Sequence, residues 1–124
     1  MQNKIVIRMD AEKIYGRALD AFGEQAQLDI LIEEMSELTK AIIKCRRRGE
    51  DILDPTIITE MVDVHICLEQ LAVMFKRRSE EMFSKMYNHE RTSKLKRLEE
   101  RIDVTNDTND TANICPNTLL CGGC

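Results

Sequence analysis

Apolar residues recur every three to four positions along most of this chain, which is the spacing of one face of an α-helix. The pattern predicts four helices, which run approximately over residues 11–22, 24–48, 56–75 and 79–102. Gly23 and Gly49 are suited to ending the first two helices, and the basic residues 46–48 complement the C-terminal dipole of the second. Four helices with short connections predict an all-α fold arranged as a four-helix bundle.

The helical periodicity is absent at both ends of the chain. Residues 1–9 contain one short apolar stretch, and we interpret them as an N-terminal arm. After Ile102 the chain is rich in Thr, Asn and Asp, and such a segment buries too little apolar surface to offset the entropy of ordering it. We therefore expect a helical domain over residues 10–102 and a flexible tail over residues 103–124.

The predicted third helix is apolar on two sides. One broad face consists of Ile57, Met61, Val64, Leu68, Leu71, Ala72 and Phe75, and a second consists of Ile58, Val62, Ile66 and Val73. A helix that is apolar almost all round is buried on most sides. A chain of 124 residues can hardly surround such a helix by itself, so we expect a homodimer or homotetramer that completes the bundle.

Composition narrows the function classes. The net charge of −4 argues against nucleic-acid binding, which needs a basic surface to displace counterions. No apolar run approaches the roughly 18 residues of a membrane span, so no membrane partner is expected. The first nine residues are too short and too charged for a signal peptide, which predicts a cytoplasmic protein.

Two pairs of acidic residues interrupt the apolar faces of the second and third helices. Glu34 and Glu37 form one pair, and Glu60 and Asp63 form the other. Each pair has a spacing of three residues, which places both carboxylates on the same side of a helix. Glu33 lies close to Glu37 on the helix surface, and geometry alone does not exclude it from this group.

If the two helices pack antiparallel, the acids converge, and buried like charges need a partner that neutralises them. A hard divalent cation with oxygen ligands does this, so the sequence predicts Mg²⁺, or alternatively Mn²⁺. Two other interpretations stay open. In the first, the acids are solvated surface residues. In the second, they form a salt-bridge network with bases such as Lys85 and Arg91.

The spacing of these acids carries a family resemblance. The chain reads E-E-M-S-E over residues 33–37 and E-M-V-D over residues 60–63. This order resembles the E-E-x-x-E and E-x-x-D motifs of the MazG-like, all-α nucleoside triphosphate pyrophosphatase superfamily, and the similarity extends over roughly residues 10–100. Mapped by motif position, the resemblance implies that the metal ligands are Glu34, Glu37, Glu60 and Asp63.

The resemblance also implies a reaction. Members hydrolyse a nucleoside triphosphate between its α and β phosphates, which predicts a role in nucleotide-pool control or in removing unwanted nucleotides. Glu33 is then a residue that orients water or supports the metal ligands. Lys85, Asn88 and Arg91 lie on one side of the predicted fourth helix and resemble the family's phosphate-binding residues, although a solvated charged face explains them equally well.

Two rival functions remain open at this point. A phosphoribosyl-ATP pyrophosphatase shares the fold that the resemblance implies. A non-catalytic helical interaction module would instead use the acids in salt bridges. The chain has no G-x-x-x-x-G-K-[S/T] motif, so a P-loop enzyme is not predicted.

The remaining metal-binding residue types are sparse. His65 is expected in the core or at an interface, and His89 is expected on the surface, which supports no His-based zinc site. Cys115, Cys121 and Cys124 have a spacing that is compatible with zinc, but a complete structural site needs a fourth ligand. A tail with reduced thiols is the simpler interpretation.

Overall fold

The computed structural model describes residues 10–50 and 54–112, with side chains described as far as Thr108. Its elements are α1 (Ala11–Phe22), α2 (Glu24–Arg48) and α3 (Pro55–Ala112). No strand occurs in these two ranges, so the predicted all-α fold class is confirmed. Completion of a bundle by other copies of the chain stays a prediction.

Short polar residues and glycine set the helix ends. The Asp10 side chain accepts a hydrogen bond from the backbone N–H of Lys13 (3.3 Å), which caps α1. The Asp54 carboxylate accepts one from the backbone N–H of Thr56 (2.7 Å) at the start of α3. Gly49 ends α2 with a φ of 65°, a left-handed conformation that glycine adopts without strain. The predicted bounds of α1 and α2 are confirmed.

Gly23 is the single residue between α1 and α2. Its φ of 86° lies where residues with a Cβ atom are strained, so glycine is required by the backbone at this position. Its N–H donates to the carbonyl oxygen of Leu19 (2.9 Å), and its own carbonyl oxygen accepts from the N–H of Gln27 (3.3 Å). The joint therefore closes α1 and opens α2 without a loop.

The predicted boundary between a third and a fourth helix is a kink within α3. Ser79 has a φ of −162° and a ψ of 104°, which is extended backbone inside an otherwise continuous helix. Its hydroxyl oxygen accepts a hydrogen bond from the backbone N–H of Met82 (3.2 Å), as an N-cap residue does. The new helical segment begins where the sequence predicts it. No loop precedes it, because one extended residue suffices to interrupt the backbone hydrogen bonds of the helix.

The C-terminal bound of α3 corrects a prediction. The helix continues beyond Ile102 to Ala112. Residues 103–112 contain no Gly or Pro, and the Thr105 hydroxyl donates a hydrogen bond to a carbonyl oxygen one turn earlier (2.8 Å), so the polar side chains are accommodated within the helix. The predicted end of the fourth helix at Ile102 is therefore wrong, and the flexibility of the tail stays a prediction. The predicted N-terminal arm and the three tail cysteines lie outside the described residues.

α2 and the first part of α3 run in opposite directions. Three neighbouring pairs connect them: Cys45 with Asp54, Glu34 with Asp63, and Glu24 with Arg78. Later residues of α3 meet earlier residues of α2, which is the order of an antiparallel helical pair. The antiparallel arrangement on which the convergence of the four acids depends is therefore present.

The apolar core lies where α1 packs on α3 and on the start of α2. Its members are Tyr15, Leu19, Val73 and Met74, with Leu28 and Leu71 packed against them. Charged groups at the rim add ion pairs between α1 and α3, including Arg77 with Asp20 (2.9 Å). This packing holds α1 against the part of α3 that follows the acidic pair.

The chain divides into two compact units, with the boundary after Phe83. The first unit contains α1, α2 and the beginning of α3, including all residues of the core just described. In the second unit, residues 84–108 of α3 have mostly exposed side chains, among them Leu95, Leu98 and Ile102. The acidic pairs belong to the first unit.

Candidate metal centre

α2 presents its acidic pair toward α3. Leu31 is buried and lies one turn before Glu34, so the apolar contact that docks α2 also turns Glu34 inward. Glu34 and Glu37 are both half-buried, whereas Glu33 is exposed. Glu33 therefore differs from the other two acids in its exposure to solvent, and its role stays a prediction.

α3 presents its acidic pair in the same way. Asp63 lies one turn before buried Cys67, and Glu60 lies two turns before it on nearly the same side of the helix. Gln70 and Met74 continue this side of the helix and are also buried. Both acids are half-buried as a result.

Three of the four predicted ligands converge. One carboxylate oxygen from each of Glu34, Glu60 and Asp63 lies within 4.8 Å of the other two. The three residues come from two helices, so their meeting depends on the antiparallel packing. A group of three oxygens at this separation suits a single divalent cation bound between them.

Glu37 is not part of the converging group. Its Oε1 accepts a hydrogen bond from Lys40 Nζ (2.8 Å), one turn further along α2. The side chain of Glu37 is 44 % exposed, so this ion pair is well solvated. Glu37 lies on the correct side of α2 but is directed to its own helix rather than to α3.

The converging carboxylates repel one another. Partial burial raises the pKa of Glu34 above its usual value, and the nearby charges of Asp63 and Glu60 raise it further, with smaller contributions from Glu33 and Glu37. Every cause acts in the same direction, so among the described residues no cation compensates for the repulsion at Glu34. The site therefore has an unbalanced negative charge that a bound cation would neutralise.

The salt-bridge alternative requires a base at these acids. Within residues 10–50 and 54–108, no Lys, Arg or His forms an ion pair with Glu34, Glu60 or Asp63. The described bases of the first unit that form ion pairs bind other acids instead, such as Arg78 with Glu24 (2.7 Å). This distribution favours the cation site over a salt-bridge network.

Cys67 lies beside the carboxylates and was not among the predicted site residues. Its side chain is buried, and burial raises the pKa of the thiol, with further contributions from the charges of Glu34 and Asp63. The thiol is thus held in its neutral form. The spacing of four residues from Asp63 is the signal that points to this neighbour.

A second group of possible ligands lies at the other end of the helical pair. Cys45, Glu50 and Asp54 each have a ligand atom within 4.8 Å of the others. Both acids already have partners, since Asp54 accepts hydrogen bonds from Thr56 and Glu50 pairs with Arg48 (3.5 Å). Burial raises the pKa of the Cys45 thiol, which further disfavours it as a ligand.

The predicted phosphate-binding residues belong to the second unit. Lys85, Asn88 and Arg91 are all exposed and follow one another along α3 at three-residue steps. Their contact with a substrate stays a prediction.

The two histidines take no part in the carboxylate site. His65 is exposed rather than buried in the protomer, and its Nε2 lies 3.4 Å from a carboxylate oxygen of Glu69. Glu69 also accepts a hydrogen bond from the hydroxyl of Tyr15 in α1. His89 is exposed, as predicted. The His65–Glu69–Tyr15 contacts therefore tie α1 to α3 and leave the acids of the site separate.

Comparison with known proteins finds no matching family model, no similar curated protein and no similar solved structure. Among the described helices, none is both long and apolar enough to cross a membrane. Any assignment of function must therefore be argued from the carboxylate site itself and from the motif resemblance.

Proposed function

We propose that this protein is a Mg²⁺-dependent nucleoside triphosphate pyrophosphohydrolase, which converts a (deoxy)nucleoside triphosphate and water into the monophosphate and pyrophosphate. The observation that carries the proposal is the convergence of Glu34, Glu60 and Asp63 without a basic partner in the described residues. The spacing of the acidic motifs in this chain resembles that of MazG-like enzymes. The proposed reaction and the proposed nucleotide-pool role are inferred from this resemblance.

The donor set fits a hard cation. Carboxylate oxygens are typical ligands of Mg²⁺ and Mn²⁺, and Mg²⁺ commonly keeps several water ligands beside one or two carboxylates. Glu37 is the fourth ligand in this proposal. Its carboxylate would have to leave the ion pair with Lys40 to bind the cation. That pair is exposed to water, so breaking it costs little free energy.

The chemistry divides between the cation and the protein. A bound cation supplies charge stabilisation at the phosphate oxygens and a template for substrate and water. Glu34, Glu60 and Asp63 hold that charge at a half-buried position between two helices. Glu33 lies on the exposed side of the site, where its carboxylate accepts a hydrogen bond from water and orients it toward the α–β phosphate bond. No side-chain nucleophile is required.

The apolar surface of α3 supports the homo-oligomer. Met61, Leu68 and Phe75 are each about half exposed in the protomer, at 53 %, 47 % and 50 %. They lie on one side of α3, with Ile57 before them and the less exposed Val64 and Leu71 between them, and the six residues follow one another at alternating steps of four and three. Such a stripe is the pattern by which helices pack on each other, so we propose that a second copy covers it.

A nucleotide panel tests the enzymatic function. The protein is mixed with NTPs, dNTPs and phosphoribosyl-ATP, with and without Mg²⁺, and pyrophosphate release is measured. Cleavage of at least one nucleotide that requires Mg²⁺ supports the proposal, and selective cleavage of phosphoribosyl-ATP identifies that rival instead. If nothing is cleaved and Mg²⁺ leaves the melting temperature unchanged, the helical interaction module is the better interpretation.

A further inference from the structure

Charge changes sign along one side of α2. The residues on this side follow one another at steps of four, three, four and three, and they are Glu33, Glu37, Lys40, Lys44 and Arg47. This alternation keeps all five side chains on one side, because the α-helix has 3.6 residues per turn. The acidic end belongs to the proposed metal centre, and the basic end continues from it toward the C-terminus of α2.

The basic end of this row lines an open surface groove of about 460 Å³. The groove is formed by Lys40, Ile43, Lys44, Arg47 and Arg48, and we call it the basic groove. All four cationic side chains are exposed. The groove lies wholly on α2 in the first unit, one helical turn beyond Glu37.

Stabilisation of the helix dipole explains only part of this charge. Basic residues near a helix C-terminus interact favourably with the dipole, but the effect falls off within the last turn. The last turn of α2 contains Arg46, Arg47 and Arg48, whereas Lys40 and Lys44 lie before it. Within the described ranges, Lys44 has no ion-pair partner. The groove therefore contains positive charge that helix stability does not require.

We propose that the basic groove binds the phosphate chain of the nucleotide, with Lys44 and Arg47 donating to phosphate oxygens. This inference rests on the proposed function, and it names the residues that hold the substrate's negative charge beside the metal centre. Lys44 lies seven residues beyond Glu37, the proposed fourth ligand, and ten residues beyond Glu34, which is roughly 15 Å along the helix axis. Long side chains of a helix lean toward its N-terminus, so Lys44 leans back toward the acids and shortens the gap that a bound polyphosphate must span. Lysine and arginine bind phosphate through charge-assisted hydrogen bonds.

The experiment measures binding of a probe that has no base or sugar. Inorganic tripolyphosphate with Mg²⁺ is titrated by calorimetry into the wild-type protein and into the double variant Lys44→Gln/Arg47→Gln. We expect the double variant to bind about tenfold more weakly or worse, because the two lost charge-assisted contacts together are worth at least that factor. With a nucleotide that is cleaved, KM should rise by a similar factor while kcat changes much less.

Two matched variants control the measurement. Arg46→Gln removes the same charge from the same turn but lies outside the groove, and it should bind tripolyphosphate as the wild type does. Lys44→Arg keeps the charge and should retain most of the affinity. The inference is overturned if the double variant binds normally, if Arg46→Gln loses as much, or if only Lys85→Gln weakens binding.

The outcome also separates this inference from the proposed function. Wild-type protein that neither binds tripolyphosphate nor cleaves any nucleotide contradicts both. Wild-type protein that cleaves a nucleotide, with an unchanged KM in the double variant, retains the enzymatic function and contradicts the basic groove alone.

Discussion

Two sides of the same helix differ in a way that reverses the usual order of burial. On the side of α3 that faces α2, the polar residue Gln70 is 9 % exposed, and the acids Glu60 and Asp63 are half-buried. On another side, Met61 is 53 % exposed and Phe75 is 50 % exposed. Acidic groups are thus sheltered while large apolar groups contact water.

This difference supports the proposal that a partner covers part of the surface of the single chain. Each apolar square ångström left in water costs roughly 25 cal/mol relative to burial, so a continuous apolar stripe favours a protein partner. A cluster of acids is tolerated on the sheltered side because it is only half-buried and because a cation can neutralise it. The two sides therefore predict two different binding events, one for a metal ion and one for a second copy.

The largest expected effect comes from removing the proposed metal ligands. Glu60→Gln and Asp63→Asn should each lower turnover by ~100-fold or more, since altering even a residue that supports a ligand costs 10- to 100-fold. Each should also abolish the Mg²⁺-dependent rise in melting temperature, measured by differential scanning fluorimetry. Glu100→Gln, an exposed acid on the second unit, is the control and should change neither quantity. Full activity in either site variant removes that residue from the ligand set.

The next effect concerns the apolar stripe. Leu68→Glu places a charge at its centre and should dissociate the oligomer, because an unpaired charge in an interface costs several kcal/mol. Sedimentation velocity measures the change in mass. Val104→Glu, at a residue that is 63 % exposed in the second unit, should leave the mass unchanged. A wild-type protein that is already monomeric at micromolar concentration contradicts the proposed interface.

A smaller effect is expected at the contact between α1 and α3. Tyr15→Phe removes the hydrogen bond to Glu69 and should lower the free energy of unfolding by about 1 to 2 kcal/mol. The hydrogen bond to Glu69 and burial raise the pKa of Tyr15 to about 12 from its usual 10.0. Since the folded pKa is the higher one, this stabilisation is complete below pH 10 and is lost as the pH rises toward 12.

Denaturant unfolding of both proteins from pH 8 to pH 12 measures that difference. The gap in stability between wild type and Tyr15→Phe should narrow across this range. A constant gap shows that Tyr15 stabilises the fold by packing alone.

The smallest effect concerns the metal-free protein. The pKa of Glu34 is raised, so its contribution to stability is greatest below the unfolded pKa and is lost as the pH rises through the folded value. In the presence of EDTA, Glu34→Gln should therefore reduce the fall in melting temperature between pH 4 and pH 7. With Mg²⁺ at pH 7 the wild type should have the higher melting temperature, because it binds Mg²⁺ and the variant does not. If the melting temperature depends on pH identically in the two proteins in EDTA, the proposed repulsion among the acids is contradicted.

Local signals in the sequence predict the parts of the structure that depend on neighbouring residues. Gly23 and Gly49 end the helices where the sequence predicts it, and the spacing of three residues within each acidic pair places both carboxylates on one side of their helix. The convergence of Glu34, Glu60 and Asp63 follows from these local facts together with a short connection, which forces antiparallel packing.

Other features depend on information that periodicity does not contain. The hydrogen bond between Tyr15 and Glu69 joins residues distant in sequence, and no spacing rule identifies such a pair. Glu37 was assigned to the metal by its position on the helix, but in the structure the nearer Lys40 competes for its carboxylate. The helical conformation of residues 103–112 is not predicted by periodicity, because a low apolar content argues against burial of a segment and not against a helical backbone.

The single-residue joint at Gly23 has a consequence for how this chain tolerates insertions and deletions. Adding one residue within α1, between Leu19 and this joint, would turn Tyr15 and Leu19 by about 100° relative to α2, since each residue of an α-helix rotates by that angle. Tyr15 and Leu19 would then leave the core, and the link from Tyr15 to Glu69 would break. The joint thus fixes a rotational register for the whole first unit, and length changes should be confined to the connection between α2 and α3.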